Sequence, residues 1–288
     1  MTAQLRFAIL LLAGLAAGPI IVTGGAEVST AQRAPDLATL DRTIERIYGT
    51  ADFTPAAFSQ TEWFDGGRRF VALEPSDDGQ GRDLVSFDTA TGAREVLVPA
   101  AALVPPGASE PLAIASYAWS ADRARLLVFT NTRRVWRQNT RGDYWVLDRA
   151  AGTLSKLGGS GPEASLMFAK FSPDGSRVGW VRDGNLYVED LENGTITPVT
   201  TDGGGDLING TSDWVNEEEF GIRDGFRWSP DGRFIAYWRF DTSGVGRFTL
   251  INNTDTLYPE ITVFPYPKVG TVNSAVSVHV ADLAAGLS

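Results

Sequence analysis

Four stretches of the chain align without gaps: "WFDGGRRFVAL" (63–73), "WSADRARLLVF" (119–129), "FSPDGSRVGWV" (171–181) and "WSPDGRFIAYW" (228–238). Their starts lie 56, 52 and 57 residues apart. A fixed period of that length marks a repeat architecture, in which no unit buries its apolar surface alone. Each stretch opens on an aromatic and passes through a polar turn, with glycine at the fifth position in three of the four. Each then enters a run of β-branched and aromatic residues, the composition of a strand.

A second pattern recurs inside the units. "DLVSFDTATG", "DYWVLDRAAG" and "NLYVEDLENG" each join an apolar strand to an aspartate (Asp88, Asp148, Asp190), with a glycine four residues on (Gly92, Gly152, Gly194). That spacing suits a hairpin whose turn ends in a residue of positive φ, where glycine costs least. Two hairpins per unit predict an all-β fold, a β-propeller of four-stranded blades that stack into a ring. Near the end, "VHVADLAAG" repeats the spacing with Asp282 and Gly286. We read it as part of a fifth unit whose returning strand is missing. An open edge of that kind is one that native folds avoid, so the natural protein is expected to continue past Ser288.

Upstream of the repeats the chain reads differently. Residues 1–26 hold one basic residue, Arg6, an apolar run from Phe7 to about Val22 and small residues Gly24 and Ala26, the layout of a signal peptide. A retained single-span anchor is the other option. Residues 27–58 form an N-terminal helical segment, because Leu37, Leu40, Ile44 and Ile47 fall at helical spacing before Gly49. Residues 59–288 make up the incomplete propeller domain.

Export and the absence of cysteine together point to a bacterial envelope or periplasmic protein. With no cysteine and one histidine, the chain has no thiol nucleophile and little for a zinc or copper site, and no cofactor is expected. A net charge of -10 excludes the basic footprint of a nucleic-acid binder.

Function is sought where units depart from their own repeat. The second unit has 13 residues, Thr130 to Gly142, where the third has 3, Arg182 to Gly184. The extra residues enlarge a hairpin loop carrying Arg133, Arg134, Arg137 and Arg141 beside Trp136. Residues 201–227 hold the other departure, "DWVNEEEF", Asp213 to Phe220. Asp213 is a suitable N-cap, so a short helix is expected, docked by Trp214 and Phe220, with some of Glu217, Glu218 and Glu219 facing a cavity. The plainer alternatives stay open: arginines that pair with surface acids, and a solvated acidic helix face. Taken together, the departures suggest paired carboxylates near a guanidinium. Two acids held close repel one another unless a cation joins them, which makes such a pair a receptor for an ammonium group. At an effective dielectric near 20, each contact at about 4 Å is worth roughly 4 kcal/mol before desolvation.

"DWVNEEEF" followed by "FRWSPDGRFIAYWRFD", the loop "VWRQNTRGDYWVLD", and "LYPEITVFPYPKVGTVNS" (257–274) resemble the N-terminal β-propeller of the dipeptidyl peptidase IV family, serine exopeptidases of the prolyl oligopeptidase clan. The resemblance runs from about residue 40 onward and implies an eight-bladed ring, only partly covered here. In that family the propeller caps an α/β-hydrolase domain that carries a Ser-Asp-His triad. The family's amine-binding glutamate pair falls on Glu218 and Glu219, and its substrate-orienting arginine falls on Arg137. Peptides with a free N-terminus are the implied partners, and a homodimer of the full-length protein is implied as well.

Two features depart from the family. Asn216 stands where animal members carry an aromatic, and Gln138-Asn139-Thr140 follow Arg137. No G-x-S-x-G elbow occurs in the chain, so the catalytic domain is absent from it and the chain alone is expected to be inactive. His279 takes the strand position of Val85, Trp145 and Tyr187 in the other units, a structural place. The competing class is a non-catalytic envelope propeller used for binding or assembly.

Overall fold

A computed structural model describes residues 36–54 and 61–284. The leader read over 1–26 and Gly286 lie outside the described residues. The chain divides into two compact units, Met1–Ala57 and Phe58–Ser288. In the first, α1 (Leu37–Gly49) has Asp36 as its N-cap, whose carboxylate accepts from Thr39 N at 2.7 Å. That bond satisfies a donor the helix leaves open.

The second unit is a run of antiparallel blades. The first blade comprises β1 (Thr61–Phe64), β2 (Arg69–Pro75), β3 (Arg82–Asp88) and β4 (Arg94–Val98). The second comprises β5 (Ser116–Trp119), β6 (Arg125–Val135), β7 (Gln138–Asp148) and β8 (Thr153–Lys156). The third comprises β9 (Leu166–Phe171), β10 (Arg177–Arg182), β11 (Asn185–Asp190) and β12 (Ile196–Pro198). The fourth is built on β13 (Leu207–Asn209), β14 (Phe226–Trp228), β15 (Phe234–Asp241) and β18 (Ala275–Asp282). The hairpin β16 (Arg247–Asn252) and β17 (Glu260–Pro265) pairs only within itself. These blades form an open stretch of a propeller, not a closed ring.

The repeat sets the register. The seventh residue of each aligned stretch, Arg69, Arg125, Arg177 and Phe234, stands opposite Asp88, Asp148, Asp190 and Asp282. Each of the first three aspartates accepts backbone N–H groups two and three residues ahead, as Asp148 does from Ala150 and Ala151. Such Asx turns explain why the aspartate precedes the glycine. The fifth position has positive φ in all four stretches, including Arg123 at 60°, the one that is not glycine. Arg125 and Arg177 each donate to the carbonyl of the next blade's fifth-position glycine, Gly175 and Gly232, at 2.8 Å.

One expectation is corrected here. The strand containing His279 and Asp282 does not open a fifth unit. It is β18, the third strand of the fourth blade, paired along its whole length with β15. The inserted β16–β17 hairpin separates the two partners in sequence and hides the repeat. His279 stacks on Tyr237, centroids 5.5 Å apart, as Tyr187 stacks on Trp180 at the same register position.

The core lies between blades. Leu126 and Val128 join Val71, Leu73 and Leu84 of the first blade, whereas Leu127 and Phe129 join Val178 and Trp180 of the third. Alternate residues of one strand thus serve opposite interfaces, which is why "LLVF" (126–129) is apolar throughout. The third interface packs Val181, Leu186 and Val188 against Phe226 and Ile235.

Candidate functional site

The enlarged loop of the second unit is a continuation of the hairpin. β6 and β7 run outward beyond the blade and close on a two-residue turn, Trp136-Arg137, flanked by the pair Val135 and Gln138. Trp136 sits at φ 51° and its carbonyl accepts Arg134 Nε at 2.8 Å. Arg137 therefore stands at the tip.

The acidic stretch interrupts the fourth blade's inner edge. β13 and β14 pair with successive parts of one edge of β15, and the chain leaves that edge at Gly210 and returns at Gly225. Gly225 N donates to Gly210 O at 3.0 Å. A Cβ on Gly225 would meet Gly210 C at 2.8 Å, so closing this neck requires glycine. Thr211 Oγ1 donates to Arg223 O at 2.8 Å, tying the two arms together.

Between the arms lies α2 (Trp214–Phe220). Asp213, buried, accepts Asn216 N at 3.0 Å, and its second oxygen accepts from Ser274 Oγ, just before β18. The helix ends on Gly221 at φ 66°, whose N–H reaches Glu217 O at 3.0 Å. Trp214 docks, with its ring 4.4 Å from Tyr266 and 5.9 Å from Phe264. Phe220 does not: it is 73% exposed, since the helix turns that side to solvent.

The three glutamates have different fates. Glu217 is buried, its Oε1 3.2 Å from Arg223 Nε. Burial pushes its carboxyl above the ordinary range, and Arg223 pulls it part of the way back. It faces neither a cavity nor solvent but is one half of an internal ion pair. Glu218 Oε2 lies 2.5 Å from Arg137 Nε, with the glutamate side chain 9% exposed and the arginine 79%. Glu219 is exposed, and no cation among the described residues pairs with it.

The structure thus brings two of the three singled-out residues, Arg137 and Glu218, into contact and sets Glu219 next to them in the helix. Arg133 and Arg141 stand directly opposite each other in the hairpin ladder, and neither they nor Arg134 form an ion pair among the described residues. Sequence reasoning missed Arg223, Ser274, Phe264 and Tyr266. Only the spacing of Arg223 from Glu217 could have pointed to one of them.

Chemically, Glu217 and Arg223 cancel, and Arg137 neutralises one of the remaining two acids. Among these five side chains a single negative charge is left over, on the exposed Glu219, beside a carboxylate already held in place. Such a site attracts a monocation that can donate several hydrogen bonds. Among the described residues no group of three or more acid or histidine side chains could hold a metal ion.

Residues 120–288 match the family described as "Dipeptidyl peptidase IV (DPP IV) N-terminal region". Dipeptidyl aminopeptidase B of Saccharomyces cerevisiae is 34% identical over 62% of this chain and 22% of its own length. Dipeptidyl peptidase 4 of Trichophyton tonsurans is 32% identical over 77% of this chain and 28% of its own. The crystal structure of Porphyromonas gingivalis dipeptidyl peptidase 4 superposes with a TM-score of 0.69 at 28% identity, covering 81% of this chain and 32% of that one. The chain spans about a fifth to a third of the length of these relatives.

Proposed function

The chain belongs to the dipeptidyl peptidase IV family, and we propose that its blades gate and anchor peptide substrates by their free N-terminal amine. The observation that carries this reading is the Arg137–Glu218 ion pair with an uncompensated Glu219 beside it. An α-ammonium group has three donors and one charge, which matches two carboxylates of which one is already neutralised. Arg137, exposed at the hairpin tip, is then free to donate to the carbonyl of the substrate's second residue. Amine capture measures two residues from the N-terminus, so the parent protein would release dipeptides as a serine-type peptidase. This chain alone, without a serine elbow, would bind and not hydrolyse.

We propose as well that the parent works outside the cytoplasm, in the periplasm or envelope, on the leader-like composition of residues 1–26 and the absence of cysteine. The proposal includes a homodimer of the full-length protein, for which the apolar exposure of Ile251, Ile261 and Val263 on the β16–β17 hairpin is the supporting observation.

Titration of the chain with alanyl-proline amide and with its N-acetyl form tests the anchor. The free amine is expected to bind at least about tenfold more tightly, a difference of about 1.4 kcal/mol. Glu218→Gln and Glu219→Gln should each erase that difference. Equal affinity for the two ligands in the unaltered chain overturns the assignment, and peptide hydrolysis by the chain above a buffer blank overturns the claim of inactivity.

A further inference from the structure

Arg137 and Glu218 come from different blades, and their side chains alone do not explain how the hairpin tip and the helix keep their spacing. One ring touches both elements. Phe264, 8% exposed at the end of β17, lies 4.7 Å from Trp136, the neighbour of Arg137, and 5.9 Å from Trp214, the first residue of α2. Tyr266 backs it, 4.4 Å from Trp214 and 5.2 Å from Phe248, and Tyr266 N bonds Gly246 O to close the base of the hairpin. The β16–β17 hairpin joins no blade ladder, so its pairing is not needed to build the fourth blade. Its base nonetheless lies where the second blade's hairpin and α2 converge.

We infer that Phe264, supported by Tyr266, is a positioning residue for the amine anchor. It holds Trp136 and Trp214 against one ring and thereby fixes the separation of Arg137 from Glu218 and Glu219. This rests on the anchoring reading for its functional consequence, but its geometric content stands apart from it. Aromatic rings suit the task, because they are rigid and prefer a narrow set of offset and tilted contacts. An aliphatic side chain fills the space without imposing an angle.

Two readouts test it. The chain has no cysteine, so Gln138→Cys with Phe220→Cys takes spin labels only at the hairpin tip and on α2. Electron paramagnetic resonance should give a narrow distance distribution in the otherwise unaltered chain. It should be broad with Phe264→Leu added and narrow again with Phe264→Tyr. On the chain without labels, Phe264→Leu should weaken binding of alanyl-proline amide about tenfold and leave the N-acetyl form unchanged, as expected when a site is loosened rather than unfolded. Trp136→Leu removes the same contact from the other side and should broaden the distribution if Phe264→Leu fails to fold.

A distribution as narrow in Phe264→Leu, or in Trp136→Leu, as in the unaltered chain overturns the inference. If the unaltered chain does not discriminate the two ligands, the anchoring reading fails and the spin-label widths alone decide this one.

Discussion

Arg137 Nε lies 2.5 Å from Glu218 Oε2, across from one blade's hairpin to another's helix, with most of the guanidinium in water and the carboxylate nearly covered. An ion pair with one partner so exposed adds at most about 1 kcal/mol to stability. Under the proposed amine anchor its consequence is for binding. Arg137→Met should leave the urea midpoint close to that of the unaltered chain. It should strengthen binding of a simple alkylammonium, which gains a second free carboxylate, and weaken alanyl-proline amide, which loses a donor to its carbonyl. Parallel changes for both ligands in an NMR titration would show that Arg137 is not a carbonyl donor.

Glu217 and Arg223 form the internal pair that supports this site. Breaking a covered pair strands a charge, so Arg223→Met should cost about 2 to 3 kcal/mol at neutral pH. Burial already raises the folded-state pKa of Glu217 above its ordinary 4.5, and losing Arg223 raises it further. The folded chain then keeps a proton that the unfolded chain releases, so the cost grows as pH rises above 4.5 and fades below it. Adding Glu217→Gln should recover most of the loss. Urea unfolding at acid and neutral pH checks both statements.

Lys170 on β9 is covered and bonded to Asp224, and burial pushes its ammonium down to about 8 from the ordinary 10.5. Between those values the unfolded chain binds the extra proton, so stability attributable to Lys170 rises with pH across that window and the penalty is fully present below it. The urea midpoint of the unaltered chain should therefore gain on that of Lys170→Met from about pH 8 upward. A constant difference would mean that Lys170 titrates normally.

Blade stacking depends on Gly179 in β10. A Cβ there would meet Phe226 Cε2 at 3.0 Å and Trp228 Cζ2 at 3.3 Å, both on the fourth blade. Overpacking at such a contact costs about 1 to 3 kcal/mol. Gly179→Ala should lower the melting temperature and Phe226→Leu should partly restore it. An additive double variant would place the strain elsewhere.

Much of the blade pattern was legible. The aspartate-to-glycine turns follow from residue type and short spacing, because a hairpin is settled by its own turn. The role of β18 was not, since its partner β15 lies beyond an inserted hairpin and no local signal marks the insertion. Phe220 was expected to dock because it is large and apolar, yet residues at the C-terminal end of a one-sided helix face whichever way the cap leaves them.

What the sequence alone determined is the set of modules: all-β units, their turns, a capped acidic helix and an arginine-bearing hairpin loop, each specified by contacts within a few residues. Only the tertiary structure decided which acid meets Arg137, which is buried against Arg223, and which is left unpaired. Those outcomes depend on how the helix lies against the rings of Phe264 and Tyr266 and the hydroxyl of Ser274, and so on residues far along the chain that only folding brings together.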